Sequence, residues 1–81
     1  EVDAIRQLAA KLTDREREVL GLVVSGLLNK QIGHRLGVTE KTVKFHRGNV
    51  MQKMRAASLP DLVRRAEKIG IAPRAGRPTS G

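Results

Sequence analysis

Phe45 is the single aromatic residue of this chain, and tryptophan, tyrosine and cysteine are all absent. Any core must therefore be assembled from Leu, Val, Ile, Met and Ala, a palette that favours packed helices over strands. With 81 residues the chain has room for one such core, near the lower size limit for folding without a disulfide or metal staple. No stretch alternates apolar and polar residues in the two-residue rhythm of a half-buried strand. The sequence thus predicts an all-α fold.

Punctuation residues divide it. The first twelve residues place Val2, Ile5, Leu8 and Leu12 at spacings of three and four, a short amphipathic linker helix that could pack on this domain or on one upstream. Thr13 followed by Glu16 forms a capping box, opening a helix to about Ser25, where Gly26 supplies a left-handed stop. Its inward stripe is Leu20, Val23, Val24 and Leu27, with Val19 at the edge and Leu22 pointing away. Asn29 is expected to cap a second helix, Lys30 to Leu36, ending at Gly37. Thr39 caps a third from Glu40 to about Met54, and Ser58 with Pro60 opens a fourth that closes at Gly70. The stripe of that fourth helix is Leu59, Leu62, Ala66 and Ile69. The remaining residues, 71 to 81, are rich in Gly, Pro and small polar groups and read as a flexible basic tail. Within it Gly76-Arg77-Pro78 resembles the centre of minor-groove AT-hook peptides. The expected division is a linker at 1–12, a domain at 13–70 and the tail at 71–81.

The second and third helices meet steric demands that an arbitrary helical pair does not. Gly33 sits inside the second helix, where a side chain would hold the third away, and Gly37 can take positive φ in the turn between them. Val38 then enters the core, and Ile32, Leu36, Val43 and Val50 face inward. A glycine inside a helix costs about 1 kcal/mol, so Gly33 requires a packing reason, and close helix approach supplies one. This is a helix-turn-helix.

The step of about 100° per residue identifies the outward side of the third helix. Taking Val43 as inward, Val50 and Met54 fall within about 20° of it, whereas Lys41, Phe45, Gly48 and Gln52 lie within about 40° of the opposite side. Lys44 and Asn49 flank that face. A helix of this width fits the major groove of double-stranded DNA, its first turns reaching base edges and its flanks reaching phosphates. Lys44 suits a base or phosphate, Phe45 a thymine methyl, and Asn49 and Gln52 amide contacts. Arg47 lies nearer the buried side and would extend past its neighbours to phosphate. Thr39, Thr42 and Lys30, at helix starts, are further phosphate candidates.

Charge supports that partner. Sixteen Lys and Arg against eight Asp and Glu give a formal net charge of +8, more than solubility requires. The excess is concentrated: residues 19 to 60 carry seven bases and the single acid Glu40. Without cysteine there is no disulfide framework and no thiolate metal site, which fits a reducing cytoplasm. No apolar run approaches the about twenty residues of a bilayer span, and the start has no signal-peptide pattern. His34 and His46 have no carboxylate beside them to complete a metal site, and His46 is expected to be packed and hydrogen-bonded. No nucleophile-base pair, converging acids or phosphate-cradling loop is evident, so neither enzyme chemistry nor a cofactor is expected.

The blocks LTDREREVL (12 to 20), SGLLNKQIG (25 to 33), TVKFHRGNVMQKM (42 to 54) and SLPDLVRRA (58 to 66) resemble the LuxR-type DNA-binding domain of NarL/FixJ response regulators, the FixJ branch most of all. That resemblance implies a four-helix bundle, here with a short N-terminal linker helix, and a third helix in the major groove. It implies DNA contact at Lys44, Phe45 and position 48, with Thr42 and Arg47 near phosphate. Some family members carry lysine at position 48, and the glycine here excludes a side-chain contact. The resemblance also implies a homodimer on DNA, for which Leu59, Leu62 and Val63 are candidates, and control by an upstream receiver domain in a two-component system. The 81 residues leave no room for that receiver ahead of Thr13, so the chain reads as an isolated output domain.

The expected function is sequence-specific transcriptional regulation, activation above all, in the bacterial cytoplasm and nucleoid. Two rivals share the sequence features. A protein-interaction module would dock the basic helix, or Leu22, on a receiver domain or RNA polymerase. A sigma-factor-like promoter reader would use the same motif within polymerase.

Overall fold

The computed structural model describes residues 1–71, and within them five helices and no strand. They are α1 (Val2–Ala9), α2 (Asp14–Val24), α3 (Asn29–Leu36), α4 (Glu40–Lys53) and α5 (Leu59–Lys68). The expected linker helix is α1, and the four-helix bundle is α2 to α5. None of the five is long and apolar enough to cross a membrane. The Gly76-Arg77-Pro78 segment lies outside the described residues.

The helices start where side chains satisfy orphan amides. Thr13 Oγ1 accepts from the Glu16 amide at 3.1 Å, and Glu16 Oε1 accepts from the Thr13 amide at 2.9 Å, so the reciprocal capping box is present. Thr39 and Ser58 accept from the amides of Thr42 and Asp61 in the same manner. The start of α3 departs from expectation. Asn29 is its first helical residue and Leu28 occupies the cap position. The Leu28 amide donates to Gln31 Oε1 at 2.8 Å, which frees the Asn29 carboxamide for another partner.

Four helices end alike, with an amide just past a left-handed residue donating back across the last turn. These bonds run from Leu27 to Leu22, Val38 to Gly33, Ala56 to Met51 and Ile71 to Ala66. The left-handed residue is Gly26, Gly37 or Gly70 in three of them. At the end of α4 it is Arg55, with φ of 54°, a conformation that costs an L side chain roughly 1–2 kcal/mol.

Ile5, Ala9, Leu12, Val19, Leu20, Val23, Val24, Ile32, Val43, Val50, Met54, Leu62 and Ala66 form one continuous buried core. Helix α4 packs mainly against α2 and α3, while α1 and α2 both reach α5. Val19, expected at the edge, is wholly buried as part of the shared core, to which α1 and α5 contribute Ile5, Ala9, Leu62 and Ala66. Leu22, expected to point away, is half-buried in a recess it shares with Leu27 and Leu36. The open question about α1 is answered by Ile5 and Ala9, both buried in this core.

Gly33 explains the α3–α4 junction. A Cβ built on it would lie 2.6 Å from the Val38 carbonyl oxygen and 3.5 Å from Val43 Cγ2. The tightest obstacle is thus the turn backbone, with the third helix just behind it. Gly33 costs about 1 kcal/mol of helix propensity and is retained because no side chain fits.

Candidate nucleic-acid interface

Burying Val43 and Val50 against α2 and α3 fixes the rotation of α4. The opposite side is then presented to solvent by helical geometry alone. Lys41, Lys44, Phe45, Gly48 and Gln52 are all exposed, and Phe45 retains 65% of its accessible surface. Thr39, at the cap, and Lys30, on the first turn of α3, are exposed beside them. Thr42, Asn49 and Arg47 are half-buried and form the flanks. The structure therefore gathers the candidate residues onto one side of the helix-turn-helix.

The charges on this face are uncompensated. Among the described residues, Lys30, Lys41 and Lys44 form no ion pair, whereas Arg6, Arg15, Lys53, Arg64, Arg65 and Lys68 are each matched to an acid. At the start of α5, Asp61 pairs with both Arg64 and Arg65. The Ala57 amide, donating at 2.9 Å, and these two guanidiniums hold the Asp61 carboxyl below its ordinary range, outweighing the opposing effect of burial. Unpaired positive charge is therefore present on the α3–α4 surface, where Glu40 is the one acid on either helix.

Arg47 reaches across to α3 instead of projecting outward: its Nη1 donates to Asn29 Oδ1 at 2.5 Å. This brace ties the third turn of the exposed helix to the first residue of its neighbour. Sequence reasoning missed it because Asn29 was assigned to capping. A basic residue on the half-buried flank of α4, facing the start of α3, is the signal that points to it. His46 packs its ring against Phe45, with centroids 5.7 Å apart and planes tilted by 58°. Contrary to the hydrogen-bonded histidine expected, its buried Nδ1 has no hydrogen-bond partner among the described residues.

The candidate dimer residues separate. Leu62 is 2% exposed and committed to the core, so it has nothing to offer a second subunit. Leu59 is exposed and Val63 half-buried.

A positively charged helix presented by a glycine-hinged partner, with its apolar edge locked in a small aliphatic core, defines a DNA-binding helix-turn-helix domain of a transcription regulator. Comparison with known proteins specifies which kind. Residues 10–66 match the model of bacterial regulatory proteins, luxR family, and the chain belongs to that family. It is 55% identical over 64 residues to the transcriptional regulatory protein FixJ of Azorhizobium caulinodans, covering 79% of this chain and 30% of that protein. It is 50% identical over 68 residues to nodulation protein W of Bradyrhizobium diazoefficiens, covering 84% and 30%. The chain thus spans about a third of the length of these relatives. The solution structure of the C-terminal transcriptional activator domain of FixJ from Sinorhizobium meliloti superimposes with a TM-score of 0.78 at 47% identity, over 91% of this chain and 94% of that one.

Proposed function

We propose that this chain binds double-stranded DNA sequence-specifically as the output domain of a two-component response regulator, with α4 inserted in the major groove. The observation that carries the reading is the rotation of α4. Its aliphatic side is fully buried, and the opposite side bears Lys41, Lys44 and a 65% exposed Phe45 with no acid paired to the lysines. In this reading Lys44 meets a base edge or phosphate, Phe45 covers a thymine methyl, and Gln52 and Asn49 offer amide groups to base edges. Lys41, Thr39, Thr42 and Lys30 fix register on the phosphates, while Arg47 holds the two helices at their working angle.

Residues 13–70 form the DNA-binding unit. Residues 1–12 connect it, docked on the bundle, to an upstream receiver domain. On DNA the unit pairs as a homodimer through Leu59 and Val63, and activation proceeds by contact with RNA polymerase in the bacterial cytoplasm. Support comes from the family and from the relatives FixJ and nodulation protein W.

Chemical-shift mapping tests the central claim. Adding a duplex that the chain enriches from a random pool should move the amides of residues 39 to 52 and of Lys30 at the start of α3. Shifts confined to α1, α2 or α5 would reject it.

A further inference from the structure

Gly48 lies in the interior of α4, is exposed, and has no structural reason to be glycine. Its φ is not in the left-handed region, and a Cβ built there meets nothing within 4 Å. Gly33 is the contrasting case, where the same construction collides with the turn backbone. Glycine inside a helix lowers its stability relative to alanine, so the chain forgoes stability at Gly48 that neither backbone nor core demands. Nothing among the described residues requires the bare backbone there.

The neighbours indicate what does. A side chain on a helix leans back over the preceding turn, so one at position 48 would cover the turn bearing Lys44 and Phe45. These are the exposed cation and the exposed ring at the centre of the proposed DNA face. With Gly48, the helix presents a bare strip of backbone between Phe45 and Gln52. We infer that Gly48 is a specificity-determining close-approach position, at which the edge of a base pair in the major groove contacts the α4 backbone directly. The glycine sets the depth at which the helix seats, and hence which base edges Lys44 and Phe45 can reach. The inference rests on the reading of α4 as the DNA-facing helix and adds to it a steric filter. Sequences whose groove edge matches the bare strip are accepted because no side chain intervenes.

Gly21 of α2 provides the control. It too has non-left-handed φ and open space at its Cβ, but it lines a recess with Arg17, Leu22 and Leu36 away from the α4 face. The experiment compares wild type, Gly48→Ala, Gly48→Leu, Gly21→Ala and Lys44→Ala. Thermal unfolding is measured alongside anisotropy titrations with two probes, the duplex that the wild-type chain enriches from a random pool and a scrambled duplex of the same composition. Both alanine replacements of glycine should raise Tm, by roughly 4–8 °C each. Gly48→Ala should nevertheless bind the enriched duplex roughly tenfold more weakly, and Gly48→Leu more weakly still, because overpacking a close contact is costly. Both should bind the scrambled duplex much as wild type does, and Gly21→Ala should match wild type on both probes.

Wild-type affinity of Gly48→Ala for the enriched duplex overturns the inference, and with Lys44→Ala still impaired the α4 reading survives. A fall in Tm for Gly48→Ala, or equal losses on both probes, also overturns it. If Lys44→Ala binds the enriched duplex as wild type does, the α4 reading fails and the inference falls with it.

Discussion

The Nζ of Lys53, in the last turn of α4, lies 2.7 Å from Oε1 of Glu16, in the first turn of α2. The same carboxylate closes the capping box on Thr13, and the same ammonium reaches the Lys11 carbonyl at 3.3 Å. Glu16 is almost wholly buried, while about a third of the Lys53 side chain meets water. One carboxylate therefore joins the start of α2, the end of α4 and the connection from α1.

Acid should loosen this junction. The Lys53 hydrogen bond above all, and then the Thr13 amide, hold the Glu16 carboxyl below its ordinary pKa of 4.5, against the opposing effect of burial. A depressed folded-state pKa contributes stability that is complete above the unfolded value and disappears as pH falls through the folded one. Replacing Glu16 by Gln keeps a capping acceptor and removes the ion pair, at an expected cost of roughly 1–2 kcal/mol given that Lys53 remains partly solvated. Urea titrations at pH 7 and pH 3 check this: the gap between wild type and Glu16→Gln should narrow sharply in acid, and an unchanged gap would refute the linkage.

Gly33→Ala should destabilise the domain by roughly 1–3 kcal/mol, since its methyl must displace the Val38 carbonyl rather than a flexible side chain. Thermal unfolding reads the loss. A variant as stable as wild type would mean that the turn accommodates a methyl group without strain.

Lys44→Ala should weaken DNA binding and reduce the slope of log affinity against log salt by about one unit if the ammonium meets a phosphate. An unchanged slope with reduced affinity would assign Lys44 to a base edge instead. Phe45→Ala should leave unfolding nearly unaltered, because the ring is 65% exposed, and cost on the order of 1 kcal/mol of discrimination between specific and random duplex. Competition titrations report that difference, and equal losses on both duplexes would make the ring a general support.

Arg55→Gly should stabilise the fold by roughly 0.5–1 kcal/mol, relieving the left-handed strain at some cost in unfolded-state entropy. Chemical denaturation measures it. A destabilised variant would show that the Arg55 side chain holds the end of α4 through contacts that outweigh the strain.

The architecture was readable because its boundaries are local events. Thr13 with Glu16, Thr39 and Ser58 cap through hydrogen bonds spanning three residues, and Gly26, Gly37 and Gly70 carry the reversals themselves. The outward face of α4 followed from helical periodicity once Val43 was taken as inward. What escaped depends on residues distant in sequence. Asn29 has the composition of a cap, yet Arg47, eighteen positions away, claims its carboxamide. Leu62 and Leu59 belong to one stripe, and only the packing of α5 on α1 and α2 decides that the first is buried and the second available. Arg55 was invisible for another reason: the reversal after α4 obeys the same hydrogen-bond pattern as the others but lacks the residue that usually announces it.

Helix α1 is fastened along its length. Ile5 and Ala9 sit in the core, Arg17 Nη2 donates to the Ala9 carbonyl at 2.9 Å, and Glu1 pairs with Lys68 of α5 at 3.1 Å. Anything covalently joined ahead of residue 1 is consequently leashed beside the far end of α5 and not at Thr13. A pull there acts on the bundle through α1, so reorienting α4 from that end requires either turning the entire body or first peeling α1 away.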